Sequence, residues 1–443
     1  MNARRPLRAV DDVWLQMDHP DNLMIVESLM TLDAPVDPQR LRDLLTERVL
    51  ERYPVFRQRP VHDAWPRATR SWEDDPDFDL GRHLIETTLP APGDDAALQD
   101  YMAGLLSRAI DRAHPLWELH LVHGYAGGCA LYSRLHHAMA DGMALTRVVL
   151  SLTDDQADPD PGAPARADVL ATNAGTGAIE LVQRAAHLAG DLAGFTLASA
   201  PVLTHLLLAR APVGPLAAPP GHEKRAVWSA PIPVATLSAI GHRSGSTVTD
   251  VTMAALAGSL RTWLLTHGAD TTHDVPTMVP VDLRPPGTPL PAELGNRFAL
   301  VLLDLPVSVR TPLGRLVATQ ARMDAIKHSP EPRLTYGLLQ MMGLTVSRAR
   351  SVLTGFFAAK AVGVTTSVRG PDGPLWLAGS RVTRMLGWAP VSGDQTISTC
   401  IVGYDGHIQV GFKVDVATVP DPETLVEGFE ADLAALAAAT RAR

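Results

Sequence analysis

The segment SRLHHAMADGMAL, residues 133–145, places two adjacent histidines at the end of an apolar run and an Asp-Gly pair shortly after them. Two alternating stretches, residues 115–125 and 129–137, flank a Gly-Gly pair at 127–128, which predicts a β-hairpin with its turn at the glycines. The residues after the Asp-Gly pair have helical spacing. The histidines are therefore expected where a strand ends and a loop leads into a helix, and side chains on such loops often carry out chemistry.

Three interpretations of this segment are open from the residues alone. Metal binding is the first, but neighbouring side chains on a strand point to opposite faces, so His136 and His137 reach one ion with difficulty. A structural role is the second, with one histidine buried, the other exposed and the Asp-Gly pair a simple turn. General base catalysis is the third, because an imidazole titrates near neutral pH and can take a proton from a hydroxyl. Asp141 would then brace the loop, and Gly142 would leave room for a substrate.

Composition limits the class of protein. The chain has 443 residues, of which 46% are hydrophobic and 20% are charged, as expected for a globular protein of two or three domains. A net charge of −9 argues against nucleic-acid binding. Cys129 and Cys400 are the only cysteines, which favours a reducing cytoplasm over a disulfide-bonded protein. The N-terminal stretch MNARRPLRAVDDVW has no apolar core of a signal peptide, so a cytoplasmic protein is expected.

The order of the predicted elements indicates two similar domains. Helices and strands alternate before and after a stretch rich in Pro, Asp, Ala and Gly, residues 154–177. We predict an α+β fold of two domains, residues 1–155 and 225–443, with a cleft between them and a linker and apolar helical region at 156–224. The most apolar part, residues 187–213, is interrupted by charged and proline residues. It predicts either buried helices or an interfacial helix on a membrane or lipid surface, and not a spanning helix.

Several segments resemble the bacterial wax ester synthase/acyl-CoA:diacylglycerol O-acyltransferase family. The similar segments are DRAHPLWELHLV (111–122), TVTDVTMAALAGSLRTWL (247–264), VPVDLRP (279–285), LGNRFALVLLDLP (294–306), TTSVRGPDGPLWLAG (365–379) and the opening stretch at 10–32. The wider superfamily shares the His-His-x-x-x-Asp-Gly motif and includes chloramphenicol acetyltransferase and the condensation domains of peptide synthetases. The resemblance therefore implies two chloramphenicol-acetyltransferase-like domains with mixed sheets.

The resemblance also implies a reaction and roles for individual residues. An acyl group would pass from acyl-CoA, a substrate rather than a cofactor, to an alcohol acceptor, and His137 would be the general base. The alcohol would attack the thioester directly, without a nucleophile from the protein, and His136 would support the loop. Asp141 would point towards an arginine, for which Arg284 is the candidate, unless Arg284 is a solvated charge at a strand end. Asn296 would donate to an oxyanion or order the cleft, unless it caps a turn.

Three positions depart from the family pattern. Thr249 and Ser367 stand where the family has asparagines, and Arg369 stands where it has a proline. A permanent charge at Arg369 favours a more polar acceptor, as in an acyltransferase of specialised metabolism, unless this arginine points to solvent. Apolar residues within 334–364, namely Met341, Met342, Leu344, Leu353, Phe356 and Phe357, are expected to line an acyl channel or to pack in the core. The alternative to an enzyme is a catalytically silent relative that binds lipid. Peripheral contact of the protein with a membrane or lipid droplet is a further expectation.

Overall fold

The computed structural model describes residues 4–62, 70–158, 214–285, 288–327 and 359–441. Its helices are α1 (Ala9–Met17), α2 (Pro38–Leu45), α3 (Leu80–His83), α4 (Asp95–Leu106), α5 (Gly142–Leu150), α6 (Val234–Ser244), α7 (Val248–Thr266), α8 (Pro312–Lys327) and α9 (Glu423–Arg441). Its strands are β1 (Arg5–Pro6), β2 (Ile25–Leu32), β3 (Gln58–His62), β4 (Arg70–Asp74), β5 (Leu84–Thr88), β6 (Trp117–Tyr125), β7 (Gly128–His136), β8 (Thr153–Asp154), β9 (Lys224–Trp228), β10 (Ile232–Pro233), β11 (Val275–Asp282), β12 (Phe298–Leu305), β13 (Gly363–Arg369), β14 (Trp376–Leu377), β15 (Ser380–Trp388), β16 (Ile397–Tyr404) and β17 (His407–Asp415).

The first sheet has seven strands in the order β5-β6-β7-β2-β15-β14-β8. β5 and β6 run parallel, and the remaining neighbours are antiparallel. β14 and β15 come from residues 376–388, late in the chain, and β15 pairs with β2. The later half of the chain thus completes the first sheet and covers the edge that β2 would otherwise leave unpaired. The sheets therefore do not divide at the predicted boundaries, residues 155 and 225.

The second sheet contains β10-β17-β16-β13-β11-β12, with β9 added beside β17. β13 runs parallel to both β11 and β16, and the other pairs are antiparallel. A small third sheet, β1-β4-β3, lies outside these two. The prediction of an α+β fold with mixed sheets is confirmed.

Two separate hydrophobic cores accompany the two large sheets. In the second core, α7 packs against α6, α8 and α9. Thr247 and Asp250 form a capping box at its N-terminus, and its residues are buried on almost every side. A helix that is apolar on almost every side belongs inside a protein, and α7 is such a helix.

The hairpin that leads to the histidines turns one residue earlier than predicted. Ala126 and Gly127 take positive φ angles of 50° and 83° at the turn, and Gly128 already belongs to β7. Gly128 serves a different purpose, because a Cβ at this position would lie 2.1 Å from the carbonyl oxygen of Leu32 on β2. Only a glycine allows β2 to approach β7 so closely at this end.

Some predictions were longer than the elements observed, and others fall outside the described residues. The spacing of apolar residues over 37–54 predicts one helix closed by Pro54. The observed helix, α2, ends at Leu45 and continues as one π turn, Thr46–Leu50, before Pro54 begins a 3₁₀ turn. The apolar region 187–213 and the six proposed channel residues between 341 and 357 lie outside the described residues. Among the residues described, no helix combines the length and the apolar composition that crossing a membrane requires.

Candidate active site

The two histidines lie where β7 ends, and their backbones are held from both sides. The backbone N–H of His136 donates to the carbonyl oxygen of Leu116 at 3.0 Å, and that of His137 donates to the carbonyl oxygen of Met24 at 2.8 Å. α5 begins at Gly142, as the helical spacing predicts. The loop between strand and helix is therefore anchored before any side chain contributes.

The His137 ring is buried between two aromatic side chains. Its centroid lies 4.2 Å from that of Trp14 and 5.4 Å from that of Phe298. Nδ1 is buried, and His137 is among the residues that line a large cavity. Burial lowers the pKa of His137 to about 4, although the charge of Asp141 and the ring's own backbone carbonyl oppose the shift. The imidazole is therefore neutral at neutral pH and can accept a proton.

His136 points elsewhere. Its Nδ1 accepts a hydrogen bond from the backbone N–H of Ala138 at 3.1 Å, and its Nε2 lies 3.4 Å from Asp18 Oδ2. Asp18 also accepts the backbone N–H of Met24 at 2.7 Å, so it links the His136 ring to the segment that holds the His137 backbone. Because the two rings face different neighbours, they do not converge on one metal ion.

Asp141 and Arg284 form a buried pair beside the cavity. Arg284 Nη1 donates to Asp141 Oδ1 at 3.0 Å, and Arg284 Nη2 donates to Oδ2. The same carboxylate accepts the backbone N–H of Ala144 at 2.9 Å, which caps α5, and the backbone N–H of Arg297 at 2.8 Å. Asp141 thus connects the loop between β7 and α5, here called the His loop, to the segments beside β11 and β12 of the second sheet. Both of its carboxylate oxygens are occupied by these structural hydrogen bonds.

Asn296 orders the cleft rather than facing the cavity. Its Nδ2 donates to Asp11 Oδ1 at 2.8 Å and to the carbonyl oxygen of His137 at 3.0 Å. Both donor hydrogens of the amide are therefore occupied, which leaves none for an oxyanion. Burial raises the pKa of the Asp11 carboxyl to about 6, against the hydrogen bonds from Asn296 and the positive charge of Arg8.

A cavity of about 1920 Å³, part of which is its open mouth, lies between the first and second sheets beside His137. Its wall is mainly apolar and is formed by β2 and β15 of the first sheet and by β11, β12 and β13 of the second. Among its lining residues are Met24, Leu29, Met278, Leu300, Leu302 and Met385. Gly142 and Ser367 also line it, Ser367 from β13 near the solvent. Such a site suits long hydrocarbon chains and a single reactive polar group.

The other two departures from the family pattern do not reach this cavity. Thr249 lies in the first turn of α7, and it is not among the described residues that line the cavity. The Arg369 side chain is 66% exposed and pairs with Asp372 at 3.0 Å. The exposed guanidinium agrees with the alternative in which Arg369 points to solvent, and an effect of Arg369 on the choice of acceptor stays a prediction.

Sequence reasoning missed several residues at the site. The His137 ring is contacted by Trp14 and Phe298. The carboxylate of Asp11 accepts a hydrogen bond from Asn296, which in turn contacts the His137 backbone. Asp11 and Trp14 belong to the opening stretch at 10–32 that resembles the family, which was the available signal. Trp117, interpreted as core packing, is 1% exposed, and its indole N–H donates to the carbonyl oxygen of Phe56 at 2.8 Å.

Comparison with known proteins agrees with the fold and places the chain in a family. A wax ester synthase/diacylglycerol acyltransferase from Marinobacter aquaeolei VT8 superposes with a TM-score of 0.72 at 22% identity, over 99% of this chain and 100% of that one. The starter condensation domain of rhizomide synthetase, solved with C8-CoA and Leu-SNAC, superposes with a TM-score of 0.60 at 16% identity, over 99% and 94% of the two chains. The fold is thus that of the two-domain CoA-dependent acyltransferases.

Sequence comparison identifies the family within this class. Residues 7–252 match the wax ester synthase/diacylglycerol acyltransferase catalytic domain, and residues 294–437 match the C-terminal domain of the same family. A probable diacylglycerol O-acyltransferase, tgs1 of Mycobacterium tuberculosis (strain H37Rv), is 30% identical over 99% of this chain and 96% of the relative, and tgs2 of the same strain is 27% identical over 96% of each. The chain belongs to the wax ester synthase/diacylglycerol acyltransferase family and is an acyl-CoA-dependent O-acyltransferase.

Proposed function

We propose that this enzyme transfers a long acyl chain from acyl-CoA to an apolar alcohol, of the diacylglycerol or long-chain alcohol type, with His137 as the general base. The observation that supports this most is the position of the neutral His137 side chain in the lining of a large, mainly apolar cavity. A base must be unprotonated at the working pH and must reach the hydroxyl that it deprotonates. His137 fits both conditions. His136 does not fit the second, because its ring nitrogens face Ala138 and Asp18.

In the proposed reaction, Nε2 of His137 takes the proton of the acceptor hydroxyl while the oxygen attacks the thioester carbonyl carbon. The carbon–sulfur bond of the tetrahedral intermediate then breaks, and the proton on His137 passes to the departing CoA thiolate. The products are an ester and CoA-SH, and the imidazole returns to its neutral form. Neither cysteine of the protein takes part, since Cys129 and Cys400 are both buried outside the cavity lining.

Four further residues are assigned supporting roles. The Asp141–Arg284 pair fixes the start of α5 against the second sheet and so fixes the position of the His loop. Asn296 positions His137 through its backbone carbonyl. Three polar residues, Ser367, Thr249 and Asn296, are candidates for contact with the substrate or the oxyanion. Of these, Ser367 lines the cavity, and we assign its hydroxyl to substrate contact.

The apolar wall supports an apolar acceptor over a more polar one. The polar alternative depended on Arg369, which is solvated. We also propose that the chain meets its substrates at a lipid surface, because both are poorly soluble and residues 187–213 have the composition of an interfacial segment. Flotation with anionic phospholipid vesicles, compared with flotation of a variant in which apolar residues of 187–213 are replaced by serine, tests this part separately.

The main experiment follows CoA release from palmitoyl-CoA with a panel of acceptors: hexadecanol, dioleoylglycerol and a polar alcohol such as glycerol. Wild type is expected to use the apolar acceptors best. His137→Gln is expected to lose about 10²- to 10⁴-fold in rate while remaining folded, and His136→Gln is expected to lose less. Equal losses for the two variants would remove the assignment of the base, and absence of CoA release with every acceptor would point to the silent lipid-binding relative.

A further inference from the structure

A buried ion pair lies at the mainly apolar wall of the cavity. Lys413 Nζ lies 2.5 Å from Glu27 Oε2, and the side chains are only 9% and 2% exposed. Glu27 belongs to β2 and lines the cavity, whereas Lys413 belongs to β17. None of the steps proposed for acyl transfer uses either residue. An ionisable pair in such a place requires a separate explanation, because burying two charges is costly and hydrophobic residues often replace such pairs without loss of stability.

The strands that carry Glu27 and Lys413 are each paired with a neighbouring strand on both sides. At Glu27, β2 is paired with β7 on one side and with β15 on the other. At Lys413, β17 is paired with β16 and with β9. Each residue thus lies on an interior strand of a different sheet. Strand pairing therefore holds both backbones in place, and the Glu27 and Lys413 side chains meet as a salt bridge across the space between the sheets.

A second, smaller pocket of about 380 Å³ lies beyond this bridge. Glu27 lines both cavities, and Lys413 lines the smaller one. The wall of the smaller pocket combines polar residues with apolar ones, among them Leu23, Leu106 and Val414. Its two lysines are both neutralised, Lys413 by Glu27 and Lys224 by Asp415, so the pocket does not offer an uncompensated cation to an anionic ligand. The pocket therefore offers additional space for a hydrocarbon chain, and the Glu27–Lys413 pair forms the partition that separates this space from the main cavity.

We propose that the Glu27–Lys413 pair sets the depth of the hydrocarbon cavity and thereby limits the chain length that the enzyme accepts. The inference rests on the proposed function in one respect, namely that hydrocarbon chains occupy the main cavity. A chain that passed the bridge would have to separate the two charges and leave each buried without its partner. Contact with hydrocarbon does not compensate a charge in this way. The chain end therefore stops at the bridge, and the smaller pocket stays out of reach.

Two double variants that differ only in the size of one side chain test this. Glu27→Gln with Lys413→Ala removes both charges and opens the partition, whereas Glu27→Gln with Lys413→Met removes both charges and keeps the volume. If the first variant does not fold, as judged by circular dichroism, Glu27→Ala with Lys413→Met opens the partition from the other side. For each protein, kcat/KM is measured with saturated acyl-CoAs from dodecanoyl to eicosanoyl and one fixed alcohol. The series is then repeated with alcohols of increasing length and one fixed acyl-CoA, which shows whether the acyl donor or the acceptor reaches the bridge.

The opened variant is expected to shift its preference towards longer chains in one of the two series, by up to about fourfold for each methylene that enters the new space. The volume-matched variant is expected to keep the wild-type profile. Equal shifts in both variants would assign the effect to charge, and unchanged profiles in both would make the pair purely structural; either result overturns the proposal. Failure of the proposed function is distinguishable, because wild type would then release no CoA at any chain length. The stabilisation of each protein by the same acyl-CoAs in a thermal shift assay still measures the depth of the cavity in that case.

Discussion

The amide of Asn296 donates a hydrogen bond to the backbone carbonyl oxygen of His137, at 3.0 Å, and a second one to the buried carboxylate of Asp11, at 2.8 Å. The Asn296 side chain, in the segment just before β12, thus contacts both α1 and the His loop. The position of the His137 ring depends on this contact across the cleft as well as on its own strand.

Asn296→Ala is expected to lower kcat, by up to about 10²-fold, because His137 loses one of the contacts that orient it. The KM for acyl-CoA should change little, since the amide does not line the cavity. Thr249→Ala is the matched control, as Thr249 also lies outside the cavity lining, and steady-state kinetics should show no change for it. A wild-type kcat in Asn296→Ala would contradict the positioning role.

Asp141→Asn is expected to lower thermal stability and activity together. The Asn amide would place donor hydrogens against Arg284 and the backbone N–H of Arg297, and a buried guanidinium would lose its counter-charge, at a cost of about 3–5 kcal/mol. Asp372→Asn removes an ion pair with Arg369 that is exposed, and it should alter stability by less than about 0.5 kcal/mol. Urea unfolding of the two variants makes the comparison. Loss of activity in Asp141→Asn at unchanged stability would instead indicate a direct part in the chemistry.

The free energy of unfolding should decrease as the pH is lowered, and part of this decrease should depend on His137. Its folded pKa is about 4 and the ordinary pKa of a histidine is 6.5, so between these values the unfolded chain binds the proton more tightly than the folded one. Acidification from about pH 6.5 to about pH 5 therefore costs the wild type about 1.6 kcal/mol that His137→Gln does not lose. The Asp11 carboxyl, with its pKa raised to about 6, contributes the opposite slope in both proteins and cancels in the comparison. Parallel unfolding free energies at the two pH values would show that the ring is not buried in its neutral form.

Arg369→Ala is expected to leave the choice of acceptor unchanged. The guanidinium is exposed and its partner is the neighbouring Asp372, so it does not contact a substrate in the cavity. Competition between hexadecanol and glycerol, followed by product analysis, should give the same ratio for wild type and variant. A changed ratio would mean that Arg369 acts on the acceptor from the rim.

No acyl-enzyme should form when the protein is incubated with acyl-CoA alone. Burial raises the pKa of the Cys129 thiol to about 11 and that of the Cys400 thiol to about 12, so neither is a thiolate at neutral pH. Intact-protein mass spectrometry should show only the unmodified mass, with and without a subsequent alcohol. A stable adduct that an alcohol then removes would replace direct transfer by a two-step mechanism.

Local patterns were sufficient for the elements that carry the site. Alternation predicted the β6–β7 hairpin, and helical spacing predicted α5. An Asp-Gly pair between two alternating stretches, such as Asp405-Gly406, is likewise typical of a hairpin turn, and both residues have positive φ between β16 and β17. These features depend on neighbours within a few residues, and for this reason they can be recognised in a sequence. Resemblance to a family supplied the expectation that Arg284 faces Asp141, which local patterns could not supply.

Contacts between distant segments were decided only by the tertiary structure. The sequence by itself determined the elements, the motif and the family, because backbone propensity, turn chemistry and residue spacing are local properties. The order of strands within a sheet is not local, so residues 376–388 could not be predicted to complete the first sheet beside β2. The same strand order brings Asn296 to the carbonyl of His137, leaves Arg369 in solvent, and sets Glu27 against Lys413, 386 residues further along the chain. In each case the role of the side chain depends on which surface packs against it, and that packing exists only once the two sheets have come together.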